Sequence, residues 1–396
     1  MNRLWGVGRL AVAVIAAAGV TTASMPRAYG GTVVPTVRSA AEVVSPQAVA
    51  VDARTGHVFV TDDSGGVGRV RMVDGATGAV LRTIAGGPSP RGVAVDARTG
   101  RVFVANWGPT YRDTGSVSVL DAATGMALRT VTVGVNPHVV AVDTTAGRVF
   151  VTNLYSVSVL DARTGALVRT VTNNGGFGFT PVAIDEQHGR AFVATYNTTM
   201  SGQPTLGEND VSVLDTGSGI LRRRITVPRG PYAVAVDPRT GRLFTANIDG
   251  SVSIVDAHGS MRTVSVTPGS FLNAVAVDEQ TGRVFVTGYH DQTFQGLVGV
   301  LDTHSGGVLR TMAVGGTAAG VAVDEQTRRA FVVSGSTVSV FDAQSGRLLR
   351  TLTIPANSVT VDERRGRVFV TGGDGHTRML DARSGTLFPT AASGSS

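Results

Sequence analysis

Residues 138–165, HVVAVDTTAGRVFVTNLYSVSVLDARTG, decide how the chain reads. Three short β-branched runs lie here, at 139–142, 148–152 and 156–160, and a fourth follows at 167–172. Gly147 and Gly165 punctuate them, and no run has helical periodicity. Four strands joined by tight turns form one antiparallel unit, which by itself could not cover both of its faces.

The unit recurs. The phrase Val-Ala-Val-Asp or a close variant ends at Asp52, Asp96, Asp143, Asp185, Asp237, Asp278, Asp324 and Asp362. Seven residues after each stands a Phe: Phe59, Phe103, Phe150, Phe192, Phe244, Phe285, Phe331 and Phe369. A second Asp closes a Val-rich run in every copy, at Asp74, Asp121, Asp161, Asp215, Asp256, Asp302, Asp342 and Asp381. Repeats of this period stack radially about an axis. The expected fold is therefore all-β, a β-propeller of four-stranded antiparallel blades, eight by this count, with seven the alternative. The Phe is expected to fill the space between blades, and small residues such as Ala50, Ala94 and Ala141 to line the crowded axis. The last copy has a poor fourth strand, interrupted by Pro389, and residues 32–38 are an alternative partner there.

The expected divisions are a signal peptide over 1–23, a segment over 24–45 that can supply a closing strand, the propeller over 46–390 and a tail over 391–396. Arg3 and Arg9 precede the apolar run 10–20, and small residues follow at 21–24, the layout of a secretory signal. The other reading is a membrane anchor, but the run is about half of the ~20 residues a spanning helix needs. A secreted or envelope protein, not membrane-spanning after cleavage and monomeric, is expected. The chain has no Cys, so disulfides, thiolate zinc sites and Cys-attached haem are excluded.

The net charge of +6 falls to +4 without Arg3 and Arg9. Every basic residue is Arg, and many recur at fixed repeat positions, among them Arg54, Arg98 and Arg163. Charge spread around a ring does not make a nucleic-acid stripe.

Phrases such as RVFVTN at 148–153 and SVSVLD at 156–161 resemble the YVTN-repeat propellers of bacteria, a group related to surface-layer and YncE-type proteins. The resemblance spans about residues 46–388 and implies the fold. Such propellers commonly have seven blades, whereas eight copies stand here.

The two faces of such a disc differ in sequence. Turns joining strands one to two and three to four read Asp-x-x-x-Gly, in which Asp accepts backbone N–H groups and Gly takes a positive φ. The anchor Asp residues, with Glu186, Glu279, Glu325 and Glu363, account for twenty of the 29 acids, so most carboxylates read as scaffold. From Phe to the second Asp the interval runs 15, 18, 11, 23, 12, 17, 11 and 12, while second Asp to next anchor is 22 in five of seven cases. Length variation is thus expected on one face, with Trp107, Tyr111, Tyr155, Tyr196, Tyr232, Tyr289, Phe177, Phe179, Phe271 and Phe294.

Five residues before each anchor the chain places Gln47, Arg91, His138, Thr180, Tyr232, Asn273, Ala319 and Asn357, a register with no fixed residue. It reads either as a collar that recognises a ligand at the axis or as a water-filled mouth tolerant of any polar residue.

The expected function is a binding or interaction protein whose ligand, a small molecule, a glycan or an envelope protein, docks on the variable face. The candidate residues are Gln47, Arg91, Trp107, Tyr111, His138, Tyr155, Thr180, Tyr196, Tyr232, Asn273, Tyr289 and Asn357. The alternative is a lyase or lactonase-like enzyme using His138 or His376 at the channel mouth. A Gly-x-Ser-x-Gly elbow and Lys are both missing, and the variable-face histidines His138, His290 and His376 lie far apart in sequence. No catalytic residue, metal or cofactor is assigned. Convergence of these histidines with a carboxylate would favour the enzyme, and an aromatic shelf would favour binding.

Overall fold

The computed structural model describes residues 46–63, 68–110, 112–172, 181–195, 209–227, 229–372, 374 and 376–388. The expected signal, the segment 24–45 and the tail lie outside them. Eight antiparallel blades form a propeller, with innermost strands Pro46–Val51, Pro90–Asp96, Val140–Asp143, Val182–Asp185, Pro231–Asp237, Ser270–Asp278, Gly320–Asp324 and Ser358–Asp362. In blade 7 the second and third strands run on as one element, Arg329–Asp342, bent at Gly335 (φ 52°). In blade 8 the outer strand shrinks to a bridge from Leu380 to Leu387, as expected of a run that meets Pro389. Among the described residues no helix is long and apolar enough to cross a membrane.

Hydrophobic packing lies between blades. Each repeated Phe is buried and inserts into the next blade: Phe59 against Val102, Val104 and Leu120, and Phe150 against Val193 and Leu214. Phe369 of blade 8 packs on Val58, Val60 and Val73 of blade 1, which closes the ring. Burying each such ring contributes about 1.5–3 kcal/mol, eight times over. No blade is complete without its neighbour.

The arginines reinforce the same joints. At the start of the second strand, Arg101 donates to Arg163 O (3.3 Å), Arg148 to Gly217 O (3.1 Å) and Arg283 to Gln344 O (3.2 Å), each reaching the following blade. Arg365 donates to Ala53 O and Arg367 to Gly75 O, both at 2.9 Å, across the closure. Part of the arginine excess thus serves the joints between blades.

The Asp-x-x-x-Gly turns form one face. Asp161 Oδ1 accepts the N–H groups of Arg163 (3.1 Å) and Thr164 (2.8 Å) and the Thr164 hydroxyl (2.9 Å), and Gly165 closes the turn at φ 70°. These bonds, the Thr164 N–H foremost, hold the Asp161 carboxyl below its usual range.

Candidate functional site

On the opposite face the collar register coincides with a β-bulge in four of the blades. Pairing of the first and second strands slips between Pro46 and Val49, Pro90 and Val93, Pro231 and Ala233, and Leu272 and Ala274, so Gln47, Arg91, Tyr232 and Asn273 stand as extra residues. A bulged residue is released from the alternation of the strand, which explains why the position varies in these four blades while its neighbours repeat. The collar is not one ring of equivalent groups, however; the structure divides it into two clusters and some isolated members.

The first cluster belongs to blades 1 to 3. Arg91 donates to Gln47 Oε1 (2.8 Å), pairs with Asp63 (3.4 Å) and lies over the Trp107 ring, 4.3 Å from its centroid. Ser89 also donates to Asp63 (2.7 Å). Burial lowers the affinity of Arg91 for its proton, and Asp63 opposes this. Trp107 and His138 face each other at 6.1 Å with planes tilted by 45°. Burial, with help from the Arg91 charge, pulls the His138 pKa down to about 3, so the imidazole is neutral at ordinary pH. The guanidinium is thereby held by Gln47, Asp63 and Trp107 together.

The second cluster is a ladder of four rings on blades 5 and 6. Tyr232 meets Phe271 edge to face at 4.8 Å, Phe271 stacks on Tyr289 at 5.4 Å (17° between planes), and Tyr289 stacks on Phe294 at 5.9 Å (23°). Its foundation is a lengthened hairpin: strands Ser270–Asp278 and Arg283–His290 pair so that Phe271 lies directly opposite Tyr289. Gly288 permits this, because a Cβ there would stand 2.0 Å from the Phe271 carbonyl oxygen. Phe294 ends the ladder at φ 54°, a left-handed conformation that costs a bulky residue on the order of 1–3 kcal/mol, with its side chain 62 % exposed.

The remaining candidates fall elsewhere. Asn273 donates to Ala318 O (2.6 Å) and accepts from the Thr287 hydroxyl (3.2 Å), so its side chain ties blade 6 to blade 7. Asn357 pairs through its backbone N–H with Thr371 O (2.7 Å). Tyr155 is exposed on the short loop of blade 3. Tyr111, Thr180 and Tyr196 lie outside the described residues. Among the described residues no group of three His, Asp or Glu side chains is arranged to hold a metal ion. Phe271 and Phe294 were absent from the candidate residues; their signal was already present, as aromatics in the long-interval copy that carries Tyr289.

The turn face holds its own titrating groups. Glu363 Oε1 accepts the Glu325 N–H (3.3 Å) and Glu325 Oε1 accepts the Glu279 N–H (2.9 Å), each carboxylate reaching back one blade. Burial, joined by neighbouring acids, raises Glu279 to about 7 and, against the Glu325 N–H, Glu363 to about 7.

No protein-family model matches the chain, and no curated protein matches it. Solved structures do. Hydrazine synthase of Kuenenia stuttgartiensis aligns with a TM-score of 0.59 at 13% identity, covering 89% of this chain and 99% of that one. Sqt1 of Saccharomyces cerevisiae aligns with a TM-score of 0.67 at 11% identity, covering 86% and 96%. The likeness is one of fold alone.

Proposed function

We propose that the chain is an exported binding propeller whose ligand docks on the variable face, on the aromatic ladder beside the channel mouth. The observation that carries this reading is Phe294, a ring presented to solvent from a strained backbone and backed by three more rings. Strain of this kind persists only where the surroundings hold it, and it concentrates at sites of recognition. Aromatic rings give a large contact area with little side-chain entropy to lose, which suits a binding surface.

The neutral His138 supports binding over the lyase alternative, since a general acid or base works best with a pKa near the operating pH. The layout of residues 1–24 supports export, and the repeat phrases support kinship with YVTN-type propellers. To test the reading, immobilised wild-type chain and a Tyr232→Ala/Tyr289→Ala variant are exposed to the envelope and medium of the source organism. The variant is expected to lose a component that the wild type retains. Identical capture by both would sink the proposal.

A further inference from the structure

We infer that the ladder Tyr232–Phe271–Tyr289–Phe294 takes a neutral oligosaccharide chain, with Phe294 as its outermost stacking platform. This rests on the proposed binding role and names the ligand class for the same site.

Three features point to the class. The first is ring presentation. The face of an aromatic ring is electron-rich and attracts the weakly positive C–H groups that cover one side of a pyranose. The Phe294 ring is the most exposed of the four, and the partly exposed Tyr289, Phe271 and Tyr232 follow it inward. The rings behind it stack on one another, at centroid steps of 5.9 and 5.4 Å, and end edge to face at 4.8 Å. They back Phe294 and leave its outer face as the platform, with the ring edges of Tyr289 and Phe271 beside it for a neighbouring sugar unit.

The second is the polar rim. Asp291, Gln292, Thr293 and Gln295 surround Phe294, and all are exposed. Amide, hydroxyl and carboxylate side chains supply both donors and acceptors, as the hydroxyl edges of a sugar require. The loop that bears them is a built turn: Phe294 N–H donates to His290 O (2.8 Å), His290 N–H to Gln295 O (2.9 Å) and Asp291 N–H to Gly269 O (3.1 Å). The Thr317 hydroxyl donates to Phe294 O (3.3 Å), fastening the turn to the next blade link. A platform held this way is preorganised and loses little freedom when a ligand stacks on it.

The third is charge. The nearest acid to the ladder is Asp291, which adds to the burial that pushes Tyr289 up. Arg229 on the neighbouring loop is paired with Asp249 (3.5 Å), and Arg91 is held across the mouth by Asp63 and Gln47. With these arginines engaged by carboxylates, the ladder offers phosphate and other polyanions no dedicated counter-charge, which favours a neutral ligand. A proline-rich peptide also stacks on aromatic rings, and the test separates it from a glycan.

The full chain is titrated by calorimetry with chito-, cello-, xylo- and manno-hexaose and, separately, with an octaproline peptide. Wild type is compared with Phe294→Gly, Tyr289→Ala and the outer-strand variant Leu128→Ala. At least one hexasaccharide is expected to bind, tenfold or more weakly to Phe294→Gly and to Tyr289→Ala, and unchanged to Leu128→Ala. Phe294→Gly is expected to melt no lower than wild type, because glycine adopts the left-handed turn without strain. Absence of saccharide binding, or binding that the two ladder variants leave intact, overturns the inference. Octaproline binding lost in Phe294→Gly also overturns it, while leaving the ladder a binding site. Failure of the broader reading is seen separately, as unchanged capture from the envelope.

Discussion

The two faces of the disc are built from the same repeat but solve different problems. On the turn face every copy spends its carboxylate on its own backbone, as Asp161 and Asp302 do, and the glutamates of blades 6 to 8 link one blade to the next. On the other face the loops differ in length, a bulge frees one residue per blade in four of the blades, and aromatic side chains gather there without repeating. Repetition marks where a residue serves the ring. Departure from repetition marks where a residue is free to serve a ligand.

The largest expected effect lies beneath both faces and sets the scale. Phe150→Ala removes a ring wedged between blades 3 and 4 and should cost about 3–5 kcal/mol, read by chemical denaturation. A loss below about 1 kcal/mol would mean that the blades do not depend on their joints. Next comes the turn face: Asp161→Ala removes the acceptor of two exposed backbone N–H groups, which water can then reach, and should cost about 0.5–1.5 kcal/mol.

Acid and base should also tell the faces apart. Glu279 and Glu363 titrate at about 7 in the fold against an ordinary 4.5, so the stability linked to them is present below pH 4.5 and is lost as pH rises through 7. His138 titrates at about 3 against an ordinary 6.5, so its contribution is present above pH 6.5 and is lost as pH falls towards 3. The two slopes oppose each other between pH 4.5 and 6.5. In melting curves across pH 4 to 8, Glu279→Gln/Glu363→Gln should flatten the decline on the alkaline side, and His138→Gln should flatten the decline on the acid side. If either variant keeps the wild-type profile, its residue does not govern that arm.

The smallest effect is expected on the outer rim. Leu128, 47 % exposed on the fourth strand of blade 2, should tolerate Ala within about 0.5 kcal/mol. A larger loss would show that the rim is covered by something in solution.

The fold was legible because a propeller repeats its instructions. The Asp and Phe positions read from the sequence are the turn carboxylates and inter-blade wedges of the structure, and the weak final strand is the bridge at Leu387. The candidate site was legible only in outline. Arg91, Trp107, His138 and Gln47 were named and do meet, and so were Tyr232 and Tyr289. Asn273 was named with them, yet its amide is committed to Ala318 and Thr287. Position in a repeat says where a backbone lies, not where a side chain turns.

The sequence by itself determined the repeat, the inter-blade Phe, the Asp turns and the sidedness of the variable loops, because each of these depends on local spacing that recurs eight times. The closed ring of eight blades, against the alternative of seven, was settled by the structure. Only the tertiary structure decided that the collar splits into an Arg91–Trp107–His138 cluster and an aromatic ladder. It also decided that Phe294 stands in a left-handed turn and that Glu279 and Glu363 hold their protons near neutrality. These follow from contacts between blades and from burial, which depend on how neighbouring blades meet rather than on the order of residues within any one of them.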